Sequence, residues 1–173
     1  MIPRFHHRRS VRLPGYDYSQ PGAYFVTICT FQRVCTLDND ARRRAVQQAW
    51  DEIPLHCPNA AVDEFVVMPN HVHGIIWIMR ATTVGAHHDA PLRAAAAPRS
   101  TLLPGSLGAI VLQFKSAAAR RINQIAGTPG AQVWQRNYYE HVIRDSDELN
   151  IIRRYIRDNP LNWDQDPDNP ANP

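Results

Sequence analysis

Apolar and polar positions change period several times along the chain, and each change marks an element. Residues 23–34 (AYFVTICTFQRV) are rich in β-branched and aromatic types, which predicts a strand. Over residues 39–56 the period lengthens. Ala41, Ala45, Ala49 and Ile53 recur at four-residue steps, with Arg42, Arg43 and Arg44 off that stripe, so a helix stopped by Pro58 is expected. Residues 61–67 and 71–79 are apolar runs joined by Met68-Pro69-Asn70, the pattern of a hairpin. Residues 107–124 place Leu107, Ile110, Val111, Phe114 and Ala118 on one helical face. Gly127 to Gly130 reads as a turn and residues 132–134 as a short strand. Asp145 with Glu148 resembles an N-cap pair opening a helix through Arg157, ended by Asn159-Pro160.

The order is strand, helix, strand, strand, helix, short strand, helix. Its first six elements match the ferredoxin-like split βαβ arrangement, an α+β class with an antiparallel sheet, and the last helix is appended to it. That fold hosts many functions and decides none. Around this body, residues 23–160, the sequence changes character. Residues 1–22 form a basic arm with Arg4, Arg8, Arg9 and Arg12. Residues 81–103 hold His87, His88, an alanine run and prolines, and read as a flexible connection. Residues 161–173 form an acidic, proline-rich tail expected to be irregular.

Composition narrows the function classes. A chain of 173 residues is one domain by length, and 44% hydrophobic with 20% charged residues excludes a disordered chain. Cys29, Cys35 and Cys57 form no CxxC pair, which argues against a disulfide framework or a zinc ribbon and for a reducing cytoplasm. No apolar run reaches the length of a membrane span, and no apolar stretch follows the basic start as a secretory signal requires. All 19 basic residues precede Asp158, and Lys115 is the single lysine. Arginine grips phosphate through a planar fork, so the bias suits nucleic acid; a genome-wide preference for arginine codons would produce it equally well.

Two short patterns carry candidate chemistry. In a strand, His71 and His73 project from one face, at a spacing that lets two imidazoles share a metal ion. Two histidines on a polar sheet face can simply be solvated, but these have strongly apolar flanks, and polar rings held there need partners. A cupin site would want a Glu shortly after His73, and a metallo-β-lactamase-like site an Asp at Ile75; neither is present. The second pattern is Tyr155, set among Arg153, Arg154 and Arg157, with Asn159 one turn on along the same helical face. Nearby cations favour a phenolate, which can attack phosphate. The plain alternative packs Tyr155 beside Ile152 and Ile156 as core and makes Asn159 a helix terminator. Aromatics interleaved with Arg136 in residues 134–144 either stack on bases or close the core.

Taken together and in order, these stretches resemble the HUH single-tyrosine transposases, and most closely the REP-associated tyrosine transposases of bacteria. The matching segments are Leu13-Pro14-Gly15-Tyr16-Asp17-Tyr18, Gly22 to Thr27, Val67-Met68-Pro69-Asn70-His71-Val72-His73, Phe114-Lys115-Ser116, Trp134 to His141, and Tyr155-Ile156 with Asn159-Pro160. The resemblance implies that His71 and His73 are metal ligands, that Asn159 is the third ligand, and that Tyr155 is the nucleophile. It implies a divalent cofactor, Mg²⁺ or Mn²⁺, of which two imidazoles and an amide suit Mn²⁺ better. It also implies cleavage of single-stranded DNA beside a hairpin through a 5′-phosphotyrosine. Expected DNA contacts are Arg8, Arg9 and Arg12 in the arm, Lys115, Arg120 and Arg121 on the long helix, and Arg136 and Arg154. A monomer is favoured over a homodimer, with no membrane partner. Two readings from other classes stand beside this one: a hairpin-binding module without catalysis, and a small-molecule metalloenzyme on the same scaffold, which the arginine-rich arm does not support.

Overall fold

The computed structural model describes residues 15–80, 102–166 and 169–172. The expectations for Arg4, Arg8, Arg9 and Arg12 and for the connection carrying His87 and His88 lie outside the described residues.

Strand β1 runs Gly22–Cys29, and helices α1 (Asp40–Asp51) and α2 (Ile53–His56) follow. The hairpin is β2 (Ala60–Val67) and β3 (His71–Ile78). Helix α3 (Leu107–Ala126), strand β4 (Tyr139–Ile143) and helix α4 (Ser146–Asp158) complete the body. The sheet is antiparallel in the order β2-β3-β1-β4, the ferredoxin-like arrangement expected, with β3 and β1 central.

The alternation of β1 and β3 divides the core between two faces. Tyr24, Val26 and Ile28 with Val72, Ile76 and Ile78 point toward α1 and α3, against Val46, Trp50, Ile110 and Phe114. Ala23, Phe25 and Ile75 point the other way, onto Leu149, Ile152 and Ile156 of α4. The sheet is therefore buried on both faces, which is why its central strands read as continuous apolar runs. His71 and His73 share the face of Ile75, the one α4 covers.

Gly74, between the two faces' demands, has a structural reason. A Cβ there would lie 2.5 Å from two ring atoms of Trp50 and 2.8 Å from Phe65, so only glycine lets that stacked aromatic pair close on β3.

Four expectations need correction. The first strand stops at Cys29 because a 3-10 turn, Phe31–Arg33, follows, with Gln32 and Arg33 in the left-handed region. The single helix over residues 39–56 is broken at Glu52, since Pro54 has no N–H to continue the ladder. The fourth strand is residues 139–143, not 132–134, where Trp134 makes one isolated bridge to Thr30. The tail does not start as irregular chain: a second 3-10 helix, Asn159–Gln165, continues directly from α4, and beyond it Asp166 and Asn169 are buried.

Candidate active site

The site is built where β3 passes beneath α4. His71 is fully buried, and its Nδ1 lies 2.8 Å from Asn70 Oδ1. The Asn70 amide is oriented by its own Nδ2, which donates to the Arg33 carbonyl at 3.1 Å. Oδ1 is thus an acceptor, so His71 Nδ1 carries the proton and Nε2 presents a lone pair. That Nε2 faces His73 Nε2 at 3.0 Å. His73 Nδ1 meets the buried Thr27 hydroxyl at 2.8 Å on the neighbouring strand, a partner that can donate or accept and so permits either tautomer.

Tyr155 approaches from α4. Its Oη lies 3.4 Å from His73 Nε2. Phe25 holds both rings, stacking on His73 at 5.5 Å and meeting Tyr155 edge-on at 6.1 Å. The phenol is pushed up to about 12, first by burial and then by the negative charge of Asp166, while the hydrogen bond from Asn159 pulls it back. This corrects the expectation that the neighbouring arginines would ease ionisation. Arg153 and Arg157 are turned to acids on β2, and Arg154 is exposed. At neutral pH the hydroxyl is protonated.

Asn159 is buried, and its Oδ1 has no hydrogen-bond partner. A buried carbonyl oxygen without a donor is unfavourable by about 1–3 kcal/mol, and it marks a position suited to an electrophile. Among the described residues no group of three His, Cys, Asp or Glu side chains is gathered as a metal site. The donors available here are two imidazoles and one amide oxygen. The donor set fits a divalent cation of intermediate softness. The two Nε2 atoms lie 3.0 Å apart, at hydrogen-bond distance from each other and close enough to share one ion.

Sequence reasoning missed three neighbours. Asn70 and Thr27 orient the imidazoles, and the PNH run was the available signal for the first. Trp163, in the presumed irregular tail, lies with its ring 6.1 Å from His71. His141, left without a role by sequence, makes a hydrogen bond with Glu148 at 2.7 Å and ties β4 to the first turn of α4.

The basic residues divide. Lys115 donates to the carbonyls of Gln135 and Arg136, so its ammonium holds the 134–136 loop on α3. Arg121 pairs with Glu52 at 2.6 Å. Arg120, Arg136 and Arg154 are exposed. Arg154 stands on the tyrosine-bearing helix, whereas Arg120 lies on α3, which covers the opposite sheet face.

The chain is 39% identical over 172 residues to an uncharacterized protein of Haemophilus influenzae, covering 93% of this chain and 92% of that protein. The fold is similar to that of a REP-associated tyrosine transposase solved bound to a REP hairpin. That match has a TM-score of 0.55 and 18% identity, and covers 90% of this chain and 72% of that one. No family model matches the sequence.

Proposed function

Since the chain belongs to the family of that Haemophilus influenzae protein and has the fold of a REP-associated tyrosine transposase, we propose that it is a DNA strand transferase of the transposase kind. Its substrate is single-stranded DNA beside a hairpin, and Tyr155 is the nucleophile. One observation carries the reading: His71 Nε2, His73 Nε2 and the Tyr155 hydroxyl converge beneath α4, and Asn159, directly after that helix, brings a buried carbonyl oxygen that lacks a donor. Most buried side-chain oxygens have a hydrogen-bond partner, so one that lacks it beside two imidazoles supports a site for an electrophile.

His71, His73 and Asn159 would hold a divalent cation, Mn²⁺ or Mg²⁺, which when bound supplies positive charge against a phosphate oxygen and a developing phenolate. The chain's own groups do the rest. Asn70 fixes the His71 tautomer, so Nε2 is the nitrogen turned toward His73 and able to ligate. Thr27 accepts from His73 Nδ1 when His73 Nε2 acts as a ligand. Phe25 keeps Tyr155 edge-on and limits its rotation. The Tyr155 oxygen attacks phosphorus in line, and its bond to phosphorus forms as the bond to the 3′ oxygen breaks. The phenol proton is released, and the leaving oxygen takes up a proton to become a 3′-hydroxyl. The energy of the broken ester is retained in the 5′-phosphotyrosine, so that hydroxyl can later rejoin strands without ATP. Arg136 and Arg154, both exposed, contact phosphates, Arg154 from the helix that carries Tyr155. Lys115 and Arg121 serve first as structural ties.

End-labelled single-stranded hairpin DNAs, mixed with the protein and Mn²⁺ or Mg²⁺, test the reading on denaturing gels. A metal-dependent covalent band that disappears in Tyr155→Phe and His71→Ala, with hairpin binding retained, is the expected result. Salt-sensitive binding with no adduct from any hairpin would leave a binding module without catalysis.

A further inference from the structure

The pairing of β2 with β3 slips between Val62 and Phe65, and the two residues inside the slip are both acids, Asp63 and Glu64. A bulge frees consecutive side chains from strict alternation and re-aims them. Here both acids reach α4. Asp63 takes Arg153 in a two-pronged bond, Oδ2 to Nη2 at 2.6 Å and Oδ1 to Nε at 3.1 Å. Its Oδ2 also accepts the indole N–H of Trp77 at 3.0 Å, and its Oδ1 the backbone N–H of Glu64 at 2.8 Å. Glu64 meets Arg157, one helical turn on, at 3.6 Å. Burial alone would raise the Asp63 carboxyl, but the hydrogen bonds from Arg153, Trp77 and Glu64 hold it below the usual range, so it is ionised at neutral pH.

Arg153 and Arg157 lie on one flank of α4. Tyr155, two residues from each, lies on the far side of the buried stripe of Ile152 and Ile156. A bond on one flank therefore sets the roll of the helix and, through it, the aim of the other flank. The lever is sensitive: a roll of about 10° moves a group at the helix's outer radius, about 5–6 Å, by about 1 Å. A misplacement of that size lowers a reaction rate about 100-fold. The first turn of α4 is tied to the opposite sheet edge by Glu148 and His141, so the helix is held at both edge strands.

We propose that Asp63 and Arg153 are positioning residues for the nucleophile, a clamp on the bulged edge strand that fixes the roll of α4 and so aims the Tyr155 hydroxyl at His73. The proposal rests on the reading of Tyr155 as nucleophile. Arg153→Lys keeps the charge but loses the fork; Asp63→Asn keeps the shape but loses the charge. In each, the single-turnover rate of adduct formation with a hairpin DNA and Mn²⁺ is expected to fall about 100-fold, with DNA affinity within about twofold of wild type. The exchange D63R/R153D is expected to recover at least about tenfold of that loss.

A second readout does not depend on catalysis. The ring protons of Tyr155 sense the rings of Phe25 and His73, so a rolled helix moves their NMR shifts toward those of an exposed tyrosine, while Tyr24, in the other core, stays unchanged. Unmoved Tyr155 resonances in both single variants, or a rate that falls only with the folded fraction, would overturn the clamp. No adduct from the wild-type protein would overturn the nucleophile reading instead, and the ring shifts would still report on the clamp.

Discussion

Replacing Asn70 with alanine tests how the ligand pair is prepared. The side chain is 1% exposed and makes two bonds that matter: Nδ2 to the Arg33 carbonyl at 3.1 Å, and Oδ1 to His71 Nδ1 at 2.8 Å. The first fixes which end of the amide faces the histidine, and the second fixes the tautomer that turns a lone pair of Nε2 toward His73. Loss of such an outer partner lowers metal affinity about 10- to 100-fold, or about 1.4–2.7 kcal/mol. The variant also strips the Arg33 carbonyl of that donor, at a residue already in the left-handed region, and strips a buried imidazole N–H of that acceptor. Stability should fall by about 1–3 kcal/mol. At about 2–4 °C per kcal/mol for a chain of this length, Tm drops by about 2–12 °C. Mn²⁺ titration by calorimetry, well below Tm, measures the affinity. Asn70→Asp is the control, since it keeps the acceptor and should bind Mn²⁺ at least as well as wild type. Asn70→Ala binding within twofold of wild type, or Asn70→Asp as weak as Asn70→Ala, would refute the argument.

Three further outcomes are expected. Gly74→Ala pushes a methyl into the Trp50–Phe65 stack, and overpacking of this kind costs about 1–3 kcal/mol; denaturant midpoints with an unchanged m-value check it. The Tyr155 phenol is raised to about 12 in the folded protein and titrates near 10 when unfolded, so its contribution to stability is complete below about pH 10 and is lost as pH rises toward 12. Tyr155→Phe should accordingly lose less stability over that interval than wild type in urea titrations at stepped pH. Arg154→Gln should weaken hairpin DNA binding and reduce the salt slope by about 0.7–1. Arg121→Gln, its guanidinium engaged by Glu52, should leave both unchanged.

The residues that sequence made legible are those whose signal is local. His71 and His73 were readable because a period of two fixes their common face whatever surrounds the strand. Tyr155 and Asn159 were readable as one face of a helix for the same reason. What failed depended on partners distant in sequence. The arginines beside Tyr155 looked like activators, yet Arg153 and Arg157 turn to Asp63 and Glu64, which only the β2 slip aims at them. Residues 139–143 were passed over because their aromatic and charged types looked like a loop. Pairing with β1, Phe25 opposite His141, makes them a strand. Trp163 belongs to a tail whose prolines suggested irregular chain, and its place beside His71 follows from the turn after α4. Lys115 looked like a phosphate contact because a solvated helix face and a loop tie have the same sequence pattern.

The central claim is that Tyr155 becomes covalently joined to a DNA 5′ end. Mass mapping of the protein after incubation with a hairpin DNA and Mn²⁺ tests it most directly. After nuclease trimming and trypsin, the account predicts a nucleotide phosphate on the peptide Tyr155-Ile156-Arg157. The same mass on any other tyrosine peptide, or hairpin binding with no modified peptide at all, would contradict it.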